Sequence, residues 1–195
     1  MIYQATHFED VPVAEEQDEI ARLRRRDSAA LACVVGRYQH RLYRYLRRLV
    51  KEPAAADDLF QQTWLNVVRQ LDRYDSRRSF DTWLFAIAHN AAMDLLRRKT
   101  GESLEESGSD LAAAEPDALS AAMASERAAI LASEMAGLSV PYREVLTLRF
   151  EEGMKLEEIA EVTRAPLSTV KSRVQRGLET LREKMTARYR KEDLL

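Results

Sequence analysis

KLEEIAEVTRAPLSTVKSRVQRGLETLR, residues 155–182, carries two helical patterns with a short break between them. Leu156, Ile159 and Ala160 fall at i, i+3 and i+4, one face of a short helix whose small Ala160 lets a second helix approach closely. Arg164, Ala165, Pro166 and Leu167 interrupt the pattern, because Pro166 biases Ala165 away from helical angles. A second helix follows, predicted to start from Ser168 as N-cap, with Val170, Val174, Leu178 and Leu181 in one narrow apolar stripe. At 100° per residue, Ser172, Gln175, Arg176 and Glu179 point away from that stripe, with Lys171 and Arg173 on its flanks. This is a helix-turn-helix pattern. Its outward face offers basic and adaptable polar groups that can pair with guanine edges or phosphates in the major groove. Gly177 fits least well, costing about 0.8–1.0 kcal/mol relative to Ala inside a helix, unless another helix packs closely there.

Outward from this segment the N-terminal half reads differently. Helical periodicity runs over 15–25, 28–50 after an Asp27 N-cap, 53–71 with Pro53 in the first turn, and 80–98. These predict a small bundle. In the last helix Phe80, Trp83, Leu84, Ile87, Ala91 and Leu95 recur at three- and four-residue steps, with Phe85, His89 and Asn90 off the stripe. Arg97, Arg98 and Lys99 close it, well placed at a helix C-terminus. Aromatic rings beside basic groups suit single-stranded nucleic acid, in which bases stack on rings while cations follow phosphates. Trp83 and Phe80 also suit a structural role, whereas Asn90 and the loop of residues 73–79 are better placed to touch bases.

Three blocks together carry a resemblance: AAADDLFQQTWLNVVRQL (54–71), FDTWLFAIAHNAAMDLLRR (80–98) and LSVPYREVLTLRFEEGMKLEEIAEVTRAPLSTVKSRVQRGLETLR (138–182). In order, they resemble the blocks of a bacterial RNA polymerase sigma factor. The short layout is similar to the extracytoplasmic-function class, which keeps only the second and fourth sigma domains. The resemblance implies an all-α protein of two small helical domains joined by a flexible acidic linker. It places region 2 at residues 15–99, the linker at 100–118 and region 4 at 119–187.

By position, the resemblance implies that Asp57, Asp58, Gln61 and Gln62 contact the coiled coil of the polymerase clamp, while Leu59, Trp64 and Val67 lie on the core side of their helix. Asp57 and Asp58 also suit a helix N-terminus on electrostatic grounds. The block from Arg73 to Arg98 would melt and read the minus-10 promoter element by capturing a flipped base, with Arg77, Arg78, Ser79, Phe80, Trp83, Asn90, Arg97 and Arg98 as contacts. Ser168, Thr169, Lys171, Ser172, Arg173, Gln175 and Arg176 would read the minus-35 element as duplex. The implied partners are the clamp and flap regions of RNA polymerase core, promoter DNA and an anti-sigma factor. Two departures from the family pattern stand out: Asp57-Asp58 replaces a Glu-Asp pair, and Arg176-Gly177 replaces arginine-alanine.

Charge is sorted along the chain rather than summed. The 195 residues carry a net charge of −2, yet residues 21–52 hold ten Arg or Lys against Asp27 and Glu52, and residues 101–135 hold eight acids against Arg127. Phosphate neutralisation supplies most non-specific DNA affinity, so a near-neutral chain is expected to bind DNA weakly alone. The stretch GESLEESGSDLAAAEPD reads as a flexible acidic linker, followed by an Ala-, Met- and Glu-rich helix over 118–136. Such a linker of about 18 residues spans at most ~60 Å. Promoter elements about 25 base pairs apart lie ~85 Å apart along the axis. Two domains some 25 Å across close that gap.

Cys33, the only cysteine, excludes an internal disulfide and reads as a small core residue. No apolar run of about 18 residues or signal-peptide pattern is present, so a cytoplasmic location is expected. No metal site or cofactor motif is predicted. A stand-alone helix-turn-helix regulator is the alternative reading. An enzyme using His89, Asp94, Asp57 and Asp58 is disfavoured, because the five-residue step between His89 and Asp94 is poor for shared ligation on a helix.

Overall fold

A computed structural model describes residues 13–76, 78–100 and 126–192, and every regular element among them is helical. Arg77, the acidic linker over 101–118 and the first part of the helix expected at 118–136 lie outside the described residues. The N-terminal unit comprises α1 (Val13–Arg24), α2 (Ser28–Val50), α3 (Pro53–Gln70), a 3-10 turn (Leu71–Arg73) and α4 (Phe80–Thr100). The C-terminal unit comprises α5 (Glu126–Ala136), α6 (Val140–Leu146), a π-helical turn (Thr147–Glu151), α7 (Leu156–Thr163) and α8 (Leu167–Glu192).

Local chemistry sets the boundaries. Asp27 caps α2, its Oδ1 accepting from Ala29 N at 2.9 Å and Ala30 N at 3.2 Å. The Ala30 N–H first, and then the Arg22 side chain, hold the Asp27 carboxyl below the usual range. Pro53 opens α3, where its missing N–H costs nothing. Arg164 ends α7 in the left-handed region at φ 52°, and Ala165 N donates back to Ala160 O at 3.2 Å, making the turn between α7 and α8.

Three local expectations are corrected. The structure starts α8 at Leu167, with Val170 N bonding Pro166 O, so Ser168 lies inside the first turn rather than capping it. Leu178 is exposed, while Gly177 takes its place in the buried stripe of α8. The reason is close packing: a Cβ on Gly177 would stand 3.2 Å from Leu146 Cδ1 and 3.4 Å from Tyr142 Cβ on α6. Cys33 is exposed on α2 rather than in the core.

The two units share a core. Tyr45 on α2 and Phe85 on α4 are fully buried with ring centroids 5.1 Å apart, and Val145, Leu148, Ile159 and Val162 of the C-terminal unit belong to the same apolar cluster. Helix α4 packs against α2 and α3 on one side and α7 on the other. This explains why Ala88, His89, Ala92 and Leu96, off the predicted stripe, are buried too. Arg143 of α6 donates to Ala136 O (2.9 Å) and Leu138 O (2.8 Å) within its own unit and ties it to the other through Leu49 O (3.1 Å). Burial, followed by the nearby positive charge of Arg48, lowers its pKa to about 10.

Candidate nucleic-acid interface

Helix α8 presents the outward face expected of a duplex reader. Ser168, Lys171, Ser172, Gln175 and Arg176 are exposed, with Thr169 and Arg173 at the edge of the face. Ser172 donates to Thr169 O at 2.9 Å and Gln175 Nε2 to Glu179 Oε1 at 3.0 Å, bonds that orient these side chains along the helix. Beneath this face Val170 is fully buried, anchoring α8 against the rest of the unit. Helix α7 enters with Glu158 accepting the Lys155 N–H at 2.7 Å, which satisfies a free N-terminal donor.

The region around α4 is partly covered. Phe80 is 3% exposed and sits in an aromatic cluster with Tyr38, Tyr74 and Trp83 at centroid distances of 5.5, 5.6 and 5.5 Å. In this arrangement it is a core residue and offers no open face to a base. Trp83 is half-buried, with its ring 4.9 Å from Tyr74, and Asn90 is also half-buried. Ser79 is exposed and its Oγ accepts from Thr82 N at 3.5 Å. Arg78 is exposed but pairs with Glu161 of α7 at 3.6 Å. Arg97 and Arg98 remain exposed at the helix end, Arg97 3.4 Å from Asp94.

On α3, Leu59, Trp64 and Val67 are buried, and Asp57, Asp58, Gln61 and Gln62 are exposed. Asp58 and Gln62 line an α3/α4 cleft of about 620 Å³ shared with Asn66, Asp94, Leu95 and Arg98. Asp57 and Gln61 continue instead into Leu65 and Val68, two large apolar side chains about half exposed. This pair was not singled out from the sequence, although an apolar residue four positions after Gln61 on a polar face was a readable sign of an exposed apolar patch.

Polar contacts between the units were not read from the sequence at all. Glu144 of α6 is buried, accepting from the Tyr45 hydroxyl at 2.6 Å and facing His89 Nδ1 at 2.7 Å. Burial, reinforced by the Glu144 charge, pushes the Tyr45 phenol well up. Arg41 donates to Glu152 Oε2 at 2.8 Å and Asp81 Oδ2 at 2.7 Å, and Tyr38 also donates to Asp81. Desolvation pulls the Arg41 pKa down, but the two carboxylates outweigh it and the net shift is upward. His89 is thus directed at Glu144 and Asp94 at Arg97. Among the described residues no three His, Cys, Asp or Glu side chains converge as metal ligands.

Comparison with known proteins agrees with this architecture. Residues 34–102 match the family described as Sigma-70 region 2, and residues 128–181 match Sigma-70, region 4. The chain is 34% identical over 160 residues to the RNA polymerase sigma factor CarQ of Myxococcus xanthus, covering 81% of this chain and 91% of CarQ. It is 30% identical over 162 residues to the ECF RNA polymerase sigma factor SigK of a Mycobacterium species, covering 80% and 83% of the two chains. The sigma factor RpoE of Bartonella quintana, solved in complex with the anti-sigma factor NepR, superposes with a TM-score of 0.67 at 22% identity, over 80% of this chain and 96% of that one. The chain belongs to the extracytoplasmic-function class of RNA polymerase sigma factors. Its activity is to direct the polymerase to promoters for initiation.

Proposed function

We propose that the two units divide promoter recognition between them. Residues 15–99 dock on the polymerase clamp through Asp57, Asp58, Gln61 and Gln62, with Leu65 and Val68 completing that face, and open the minus-10 element along α4 and the loop before it. Residues 119–187 read the minus-35 duplex through α8 and meet the flap, while residues 100–118 act as the tether. The observation that carries this reading is the contrast between two exposed faces. Lys171, Ser172, Gln175 and Arg176 form an exposed basic and polar face of α8 with no acid before Glu179, and Asp57, Asp58, Gln61 and Gln62 are exposed acidic and polar residues on α3. One suits phosphates and base edges, the other a basic protein surface.

In this reading the chain is a cytoplasmic specificity subunit without catalysis of its own, held inactive by an anti-sigma factor. That partnership is supported by a relative of the same fold, RpoE, which was crystallised with the anti-sigma factor NepR. No described helix is long and apolar enough to cross a membrane.

Asp58→Arg tests the clamp assignment. Asp58 is exposed, so reversal should leave the thermal melt of the isolated chain unchanged while core-polymerase binding in a competition assay falls at least tenfold, about 1.4 kcal/mol. Unchanged core affinity would remove Asp58 from the interface, and an unfolded variant would make it structural.

A further inference from the structure

On α2, Arg41, Arg44 and Arg48 stand at i, i+3 and i+7, one helix face about 10 Å long at 1.5 Å per residue. In the closed chain this face holds two consecutive carboxylates of the other unit. Glu152, with its side chain wholly buried, gives one oxygen to Arg41 Nε at 2.8 Å and the other to Arg44 Nη2 at 3.0 Å. Glu151 accepts from Arg48 Nε at 3.1 Å and lies 3.5 Å from Arg44 Nε. A guanidinium that forks onto a carboxylate fits a phosphate equally well.

We propose that this face of α2 is a phosphate-binding surface for promoter DNA, and that Glu151 and Glu152 occupy it in the closed chain as substitutes for the phosphates. The inference rests on the reading that the two units part to span a promoter. Once they part, both glutamates leave together, because they sit side by side on the turn after α6. Arg41 keeps Asp81, but the ion pairs of Arg44 and Arg48 with Glu151 and Glu152 are lost. Arg44 and Arg48 then stand without the second unit's two carboxylates on a helix already rich in positive charge, and Arg143, which lies on α6, departs with that unit. Asp81 lies in the first turn of α4, so Arg41 joins the α2 face to the loop and helix assigned to the minus-10 element. A strand held there would run on across the arginines. A row of regularly spaced arginines beside a DNA-opening helix favours a phosphate backbone over an acidic protein segment.

The test uses holoenzyme assembled from core polymerase and the full chain, with promoter affinity measured across a salt series and core affinity measured separately. Each phosphate contact adds roughly 0.7–0.9 to the slope of log affinity against log salt. Arg44→Gln with Arg48→Gln should therefore lower the slope by about 1.4–1.8 and weaken promoter binding, with core affinity intact. Arg44→Lys with Arg48→Lys should retain most of the slope. Glu151→Gln with Glu152→Gln should keep the wild-type slope with equal or tighter promoter binding, since it removes only the competitor. Should the double glutamine variant fail to fold, Arg44→Gln alone, at a side chain nearly half exposed, should lower the slope by about 0.7–0.9. An unchanged slope in the arginine variants overturns the proposal. So does a loss confined to core binding, which would place this face against polymerase. Wild-type holoenzyme that binds no promoter would overturn the promoter reading as well, whereas a defect limited to the arginine variants leaves that reading standing.

Discussion

Arg176 is the side chain on which the duplex reading bears most directly, because it is exposed at the centre of the outward face of α8. Arg176→Ala should weaken binding to a cognate minus-35 element by about 1–3 kcal/mol, with a loss that varies among promoter sequences. A uniform loss in quantitative promoter binding would make it a phosphate contact. Asp27 gives a prediction of opposite character. Its folded pKa is depressed by the helix-end donors, so its contribution to stability is present above the unfolded carboxyl value of about 4 and is lost as pH falls through the lower folded value. Asp27→Ala should therefore melt below the wild type at neutral pH, and the gap should narrow in melts run progressively below pH ~4. The outward placement of Lys171, Gln175 and Arg176 was legible from helical arithmetic alone. Phe80 was not, because an aromatic residue at helical spacing suits a core and a stacking platform equally, and only its packing against Tyr38 and Tyr74 decides.

At the scale of helices, sequence reasoning placed α2, α3 and α4 within about two residues at each end, since Asp27, Pro53 and the basic run after Leu96 are strong local signals. The start of α8 lies two residues before the expected one, because Ser168 is a favourable cap by type while the chain enters its helix earlier, at Leu167 with Pro166 in the cap position. Gly177 shows how a local misfit becomes intelligible only with its neighbour. The departure from arginine-alanine follows from the approach of α6, whose Leu146 and Tyr142 fill the space a side chain would need. Gly177→Val should destabilise the chain by about 1–3 kcal/mol in urea unfolding, despite removing a helix-interior glycine. A neutral or stabilising result would mean that α6 and α8 pack less tightly than described. Both flanks of α4 are buried for a comparable reason. The apolar stripe read from sequence faces its own bundle, and the remaining surface is closed by α7, contributed from a distant part of the chain.

For the whole molecule, the contacts that matter most join residues about 100 positions apart, such as Tyr45 with Glu144 and Arg41 with Glu152. No periodicity within one helix encodes them, which is why the arrangement of the units was the least legible part of the fold. The closed form buries Ile159 and Val162 beside Phe85, and separation would return this apolar surface to water at roughly 25 cal/mol per Å². The free chain is therefore expected to stay closed, with polymerase covering the surfaces that parting exposes. Promoter elements ~85 Å apart cannot be held by two units in contact. The most direct measurement is an intramolecular distance, with one probe on the exposed Cys33 of α2 and the other on Glu183→Cys of α8, read in the free chain and again in a promoter complex with core polymerase. A single short distance that lengthens by roughly 40 Å on promoter binding is the predicted result. A promoter-bound complex in which the two probes stay as close as in the free chain would contradict the account.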